Sequence, residues 1–347
     1  MDNEAPPQDL AAMLMEKVVG QETSMNAIVP YVQMFQAGLA PEGRPVGVFL
    51  LLGPTGTGKT HTVEMLAEVL HGSAKSMVKI DCGEFQMEHE VAKLIGAPPG
   101  YLGHRETHPL LTQTKLNAAT SENSNLSIVL FDEIEKAAPS MNRLLMGVLD
   151  KATLRLGDNT TVNFERSLIF LTSNLGAREM ARQLSPDFGF EAISAGGRPK
   201  DQGRKLEKVS MAAMRRKFAP EFVNRIDSVV TYQPLNHASL ELILDQHIRD
   251  FQSHIQTRLG ARAFFVEVPL ESRQFLMARG TSVAYGAREL KRTLHKHLIQ
   301  PVAAMVADGK IEPGARVQAV LKGEDALTIA VKETRLRAVN RESSYTD

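Results

Sequence analysis

Apolar residues follow two rhythms along this chain. Short dense runs, "VGVFLLL" (46–52), "MVKI" (77–80), "SIVLF" (127–131) and "SLIFLT" (167–172), have a strand's length and end in glycine or polar residues. Runs of this kind are strands covered on both faces, as in a parallel sheet. Other stretches repeat at helical spacing. "DLAAMLMEKVVG" (9–20) reads as a short helix with Asp9 as its N-cap. "HTVEMLAEVLHG" (61–72) places Val63, Leu66, Ala67 and Leu70 on one face and stops at Gly72. Alternation of the two rhythms from about residue 10 to 235 predicts an α/β domain, with helices layered on both sides of a parallel sheet.

Past "YQPLNHAS" (232–239) the pattern changes. Leu240 to Leu259 predicts a long amphipathic helix. "AFFVEVP" (263–269), "RVQAVLKG" (316–323) and "LTIAVKE" (327–333) predict strands, with "GARELKRTLHKHLIQPVAAMVADG" (286–309) helical between them. The expected organisation is a large domain over 1–235, a smaller, mostly helical domain with a few strands over 236–335, and a polar tail over 336–347. The segment "SPDFGFEAISAGGRPKDQGRK" (185–205), rich in glycine, proline and charge, is expected to be a mobile loop.

Composition narrows the classes. A chain of 347 residues with 43% apolar residues can build two real cores. Its 40 basic and 40 acidic residues cancel, which argues against a protein held mainly by nucleic-acid phosphates or anionic lipid. Cys82, the single cysteine, cannot form an intrachain disulfide and fits a reducing compartment. The start, "MDNEAPPQDL", has no basic or apolar leader pattern, and the run 46–52 is far too short to span a bilayer. The expectation is a soluble, cytoplasmic protein with neither nucleic acid nor membrane as partner. The histidines are scattered, so no zinc site is expected.

The candidate chemistry lies at the ends of the predicted strands. "GPTGTGKT" (Gly53, Pro54, Thr55, Gly56, Thr57, Gly58, Lys59, Thr60) matches the phosphate-binding pattern G-x-x-x-x-G-K-[ST] and sits between a buried strand and a helix. Its glycines let backbone N–H groups of residues 56–60 wrap phosphates, and the helix N-terminus adds positive potential. Lys59 would reach the outer phosphates and Thr60 would ligate Mg²⁺. The cofactors expected are therefore ATP and Mg²⁺. In "SIVLFDEIEKA" (127–137), Asp132 and Glu133 fall at the carboxyl edge of a strand, where open α/β sheets bind ligands. Asp132 would hold the metal through its water shell, and Glu133 would orient an attacking water; the alternative is a helix cap. Asn174, in "LIFLTSNLG", lies at the corresponding edge and serves either the γ-phosphate or a turn. Arg225 in "FAPEFVNRID" and Arg288 in "YGAREL" are either salt-bridge residues or the positive charge a departing phosphate needs.

The order and spacing of these motifs resemble the AAA+ ATPases of the Clp family, specifically the second ATPase module of their two-ring unfoldases and disaggregases. "VVGQE" (18–22), "GPTGTGKT", "LIGAPPGYLG" (94–103), "VLFDEIEKA", "FLTSNLG", "FAPEFVNRID" and "YGAREL" carry the resemblance from about residue 10 to 330. It implies the AAA+ P-loop fold, an αβα domain followed by a small lid domain. It implies that Val18 and Val19 line the adenine pocket, that Glu133 is the catalytic glutamate, and that Asn174 is the first sensor. Arg225 would act in trans on a neighbour's ATP in a homo-oligomeric ring, usually a hexamer, and Arg288 would be the second sensor. Tyr101 and Leu102, flanked by Gly100 and Gly103, would face a central pore and grip unfolded or aggregated polypeptide. An aromatic and an aliphatic suit that task because dispersion and apolar contact need no particular substrate sequence.

Two stretches depart from the family pattern or leave it open. "HRETHP" (104–109) replaces an acidic, glycine-containing run. Phe188-Gly189-Phe190 lies where protease-coupled relatives carry a docking loop, which leaves a ring protease as a partner or a self-packed loop. The chain is also expected to have no room for a further ATPase ring or a coiled-coil middle domain. The functional expectation is an ATP-driven unfoldase or disaggregase; the alternatives are a subunit feeding a protease and a nucleotide-switched module that does not thread.

Overall fold

The computed structural model describes residues 9–96, 109–177, 179–180, 199–281, 286–323 and 326–332. The chain divides into two compact units, Met1–Pro234 and Leu235–Asp347.

In the first unit, strands β1 (Gly47–Leu52), β2 (Val78–Asp81) and β3 (Ser127–Asp132) precede a small antiparallel pair, β4 (Thr153–Arg155) and β5 (Thr161–Asn163), then β6 (Ser167–Ser173) and β7 (Ser228–Thr231). Five of these form one parallel sheet in the order β2-β3-β6-β1-β7. The strands β1 and β6 are buried along their whole length, as their unbroken apolar runs require. Successive side chains of a strand point to opposite faces, so the sheet feeds two cores. Val48, Leu50, Phe131 and Leu171 pack with Leu145 and Met214 on one face. Phe49, Leu51, Leu130 and Phe170 pack with Ile28 and Leu66 on the other, where Phe49 stacks on Phe170 at 5.1 Å between ring centroids. Each such side chain contributes roughly 1.5–3 kcal/mol by its removal from water. The result is an αβα sandwich that holds the carboxyl ends of β1, β3 and β6 side by side.

The segment expected as a loop over 185–205 is corrected in part. Residues 199–205 open the helix Pro199–Lys217, whose Leu206, Ser210 and Met214 are buried. A charged, glycine-containing first turn hid the apolar spacing that follows it.

The second unit packs the long helix His237–Leu259, the helix Leu270–Gly280 and a helical run from Ala287 to Ala307 around a three-stranded sheet. That sheet holds β8 (Phe265–Glu267) parallel to β9 (Arg316–Lys322), which is antiparallel to β10 (Ala326–Lys332). The helical run widens into a π-turn over His295–Ile299, two residues before Pro301. Proline has no N–H to give the helix ladder, and a local π-turn absorbs the break.

Candidate nucleotide site

β1 ends at Leu52, the chain turns through 53–58, and the helix Lys59–His71 begins. Gly53 has φ 148°, and a Cβ there would sit 2.6 Å from the Tyr232 carbonyl oxygen. Only glycine fits that close approach. Gly58 caps the helix in the left-handed region at φ 101°. The exposed N–H groups of the first helical turn and the helix dipole make this end an anion site. Lys59 is buried, and its Nζ donates to the carbonyl oxygens of Gly53 (2.7 Å) and Pro54 (2.8 Å) and to Asn174 Oδ1 (2.9 Å). These contacts satisfy an ammonium that would otherwise be costly to bury. Gln21 braces the loop from outside: its Nε2 donates to the carbonyls of Thr57 (3.1 Å) and Gln233 (2.9 Å).

The parallel register sets Phe131 beside Leu171, so Asp132 follows beside Thr172. The Thr172 hydroxyl donates to Asp132 Oδ1 and accepts the Glu133 N–H at 3.0 Å. From the other side, Thr60 Oγ1 donates toward both Asp132 oxygens at 3.2 and 3.3 Å. Lys79 Nζ lies 3.6 Å from Asp132 Oδ2. A hydroxyl and a carboxylate that converge in this way suit Mg²⁺, which takes few protein ligands and keeps phosphate oxygens and waters for the rest. Among the described residues no group of three or more His, Cys, Asp or Glu could hold a metal, so a closed protein cage is not what this site offers.

Glu133 has left-handed backbone (φ 57°), and its side chain makes no capping bond to the short 3₁₀ turn Ile134–Lys136 that follows it. Its Oε1 accepts from Asn174 Nδ2 at 3.4 Å, and its Oε2 is ion-paired with Lys136. The Asn174 N–H in turn donates to Glu135 Oε1 at 2.9 Å. The hydrogen bond and the charge of Glu133 raise the Lys136 ammonium above its ordinary pKa. Burial, with Asp132 next in weight, pushes the Cys82 thiol far up, so it stays protonated and inert in the core.

The structure thus brings Thr55, Lys59, Thr60, Asp132, Glu133 and Asn174 into one network at the carboxyl ends of β1, β3 and β6. Val18 is buried in the apolar cluster beneath the helix Lys59–His71, and Val19 is half-buried. Arg225 does not join the network; its guanidinium bonds the Glu221 carbonyl and lies 3.7 Å from Asp150. Arg288 is exposed in the first turn of the helix Ala287–Leu294. Tyr101, Leu102 and Phe188–Phe190 lie outside the described residues. Sequence reasoning passed over Gln21, Thr172, Glu135 and Lys136. All four stand inside motifs already singled out, and for Glu135 and Lys136 the reach of the side chains was the signal to follow.

The family profile of the AAA domain (Cdc48 subfamily) matches residues 44–229, more than half of the chain. The chain belongs to the AAA family. The profile of the C-terminal D2-small domain of ClpB protein matches residues 235–319, so the family branch is Clp. Similar proteins include the chaperone protein ClpB of Mesorhizobium japonicum, 36% identical over 92% of this chain and 34% of that protein. The chaperone protein ClpB of Meiothermus ruber is 34% identical over 92% of this chain and 35% of its own length. The chain therefore spans about a third of the curated relatives it matches. Among solved structures, the S. cerevisiae Hsp104–ADP complex superposes with a TM-score of 0.76 at 27% identity, over 93% of this chain and 52% of that one. A closed-state reconstruction of Hsp104 with ATPyS and FITC casein gives the same TM-score at 26% identity, over 93% of this chain and 51% of that one. The AAA+ αβα domain and the Clp-type small domain are thus established, and with them the ATPase class. Among the described residues, no helix is long and apolar enough to cross a membrane.

Proposed function

We propose that this chain hydrolyses ATP in a homo-oligomeric ring, a hexamer by the family's pattern, and uses the work to remodel polypeptides. The observation that carries the reading is the network that joins Lys59, Asn174 and Glu133, through Thr172, to Asp132 and Thr60 at one edge of the parallel sheet. In it the phosphate-loop lysine and the candidate base share one asparagine.

In the proposed reaction the N–H groups of residues 56–60 bind the phosphate chain. Lys59 exchanges its carbonyl partners for the β- and γ-phosphate oxygens. Thr60 and Asp132 would hold Mg²⁺, which neutralises charge on those oxygens when bound. Glu133 accepts a proton from the attacking water through a carboxylate oxygen, and Asn174 holds one oxygen of that carboxylate. Val18 and Val19 offer apolar surface to adenine. Arg225, from the next copy, supplies positive charge to the departing phosphate, and Arg288 reports the nucleotide to the small unit. Tyr101 and Leu102 grip the polypeptide. The relatives named as ClpB chaperones and the Hsp104 structure with casein support polypeptide as the substrate class.

The test is recovery of a heat-aggregated reporter enzyme with ATP, run beside Tyr101→Ala. Recovery that disappears in the variant while hydrolysis persists is expected. Recovery undiminished by Tyr101→Ala would contradict the grip, and brisk hydrolysis with no recovery would contradict a disaggregase that works alone.

A further inference from the structure

We infer that Lys136 is a positioning residue for the hydrolytic water, acting through Glu133; the inference rests on the reading of Glu133 as the base. Three observations carry it. Lys136 is three residues beyond Glu133 across a 3₁₀ turn, and its ammonium is ion-paired with Glu133 Oε2. Asn174 Nδ2 holds the other oxygen, Oε1, at 3.4 Å, so the carboxylate is gripped at both ends and cannot rotate freely. The backbone beneath it is equally fixed: Glu133 sits at φ 57°, with its N–H bonded to the buried Thr172.

A glutamate side chain has three rotatable bonds, and a base that wanders by about an ångström can cost on the order of 10²-fold in rate. The backbone strain and the Thr172 bond fix where the Glu133 side chain starts. They do not fix where its carboxylate points. Asn174 alone, by one long hydrogen bond to one oxygen, leaves the carboxylate free to swing about that contact. The charge-assisted bond to Lys136 removes the swing. With Oε2 occupied, Oε1 is the oxygen left on the Asn174 side. That is the side on which Asn174 Oδ1 also meets Lys59, the group that reaches toward phosphate. The Asn174 backbone is itself held by Glu135, so the consecutive pair Glu135 and Lys136 secures both members of the hydrolytic edge.

An alternative role for the same pair is a brake, in which Lys136 withholds Glu133 from water and its removal speeds hydrolysis. The positioning role predicts the opposite sign, so one series of variants separates them. Steady-state ATP hydrolysis and the affinity for a fluorescent ADP analogue are to be measured on the full chain for Lys136→Met, Lys136→Arg and Glu133→Gln. The expected result is a fall of roughly 10- to 100-fold in kcat for Lys136→Met, with KM and ADP affinity unchanged within about twofold. Lys136→Arg, which keeps the cation, should recover most of the rate. A merely structural pair would not give that split, nor would it be rescued by charge alone. A normal or raised kcat in Lys136→Met would overturn the inference. So would equal losses in the Met and Arg variants, or a loss carried by KM and ADP affinity. The Glu133→Gln control keeps the two claims apart: if that variant hydrolyses ATP normally, the reading of the base fails; if it is inactive while Lys136→Met is not, only the role of Lys136 fails.

Discussion

Thr172 is shielded from solvent, yet its single hydroxyl serves both halves of the hydrolytic edge, donating to Asp132 and accepting from the Glu133 N–H. Thr172→Val keeps the shape and removes both bonds, and each bond is worth about 1 kcal/mol. Hydrolysis should fall by roughly tenfold or more, while Thr172→Ser should hold most of the rate; a coupled ATPase assay decides. Gly53 gives a second residue-scale expectation. Its φ of 148° and the 2.6 Å approach of the Tyr232 carbonyl leave no place for a Cβ. Gly53→Ala should therefore cost about 2 kcal/mol or more, read as a lower midpoint in urea. The phosphate loop was legible in the sequence because its chemistry is local: glycines, lysine and threonine act at fixed spacing on one turn. Thr172 was not, because its partners arrive from β3, and only the strand register sets them beside it.

At the scale of elements, the helix Lys59–His71 links the phosphate loop to the body of the sheet, and its last residue is a titratable one. His71 Nδ1 bonds Ser121 Oγ at 3.0 Å, and burial, only partly offset by a hydrogen bond with the Leu126 backbone, lowers its pKa below the ordinary 6.5. The unfolded chain therefore takes up a proton at a higher pH than the folded one does. Stability is complete above the unfolded value and is lost as pH falls through it toward the folded value. Thermal midpoints should drop as pH falls below about 6.5, and His71→Asn should flatten that drop; an unchanged slope would assign it to other groups. The long elements were legible because buried strands and amphipathic helices repeat one rhythm over many residues. The edge strand β7 has four residues, of which only Val230 is fully buried, and β4 and β5 have three each. Such pieces are fixed by their neighbours rather than by any pattern of their own. The helix start at 199–205 was missed for a related reason, since charge in its first turn resembles a loop until the buried residues beyond it are counted.

For the whole molecule, the network at the sheet edge holds the loop, the proposed metal pair Thr60 and Asp132 and the proposed base Glu133, but not Arg225. That arginine sits partly exposed beside Asp150, an arrangement worth about 0–1 kcal/mol at a surface. Arg225→Ala should leave folding almost unchanged, and on the proposed account it should still abolish hydrolysis, because the site of each copy is completed by the next. The order and spacing of the motifs carried the family into view, whereas assembly depends on surfaces that no single motif encodes. The most direct test mixes two inactive variants, Glu133→Gln and Arg225→Ala, in varying proportion and measures ATP hydrolysis. A copy carrying Arg225→Ala still has Glu133, and a neighbour carrying Glu133→Gln still offers Arg225, so activity should return in the mixture and peak near equal proportions. Mixtures that stay inactive, under conditions where the unaltered protein hydrolyses ATP, would contradict a site shared between neighbouring copies.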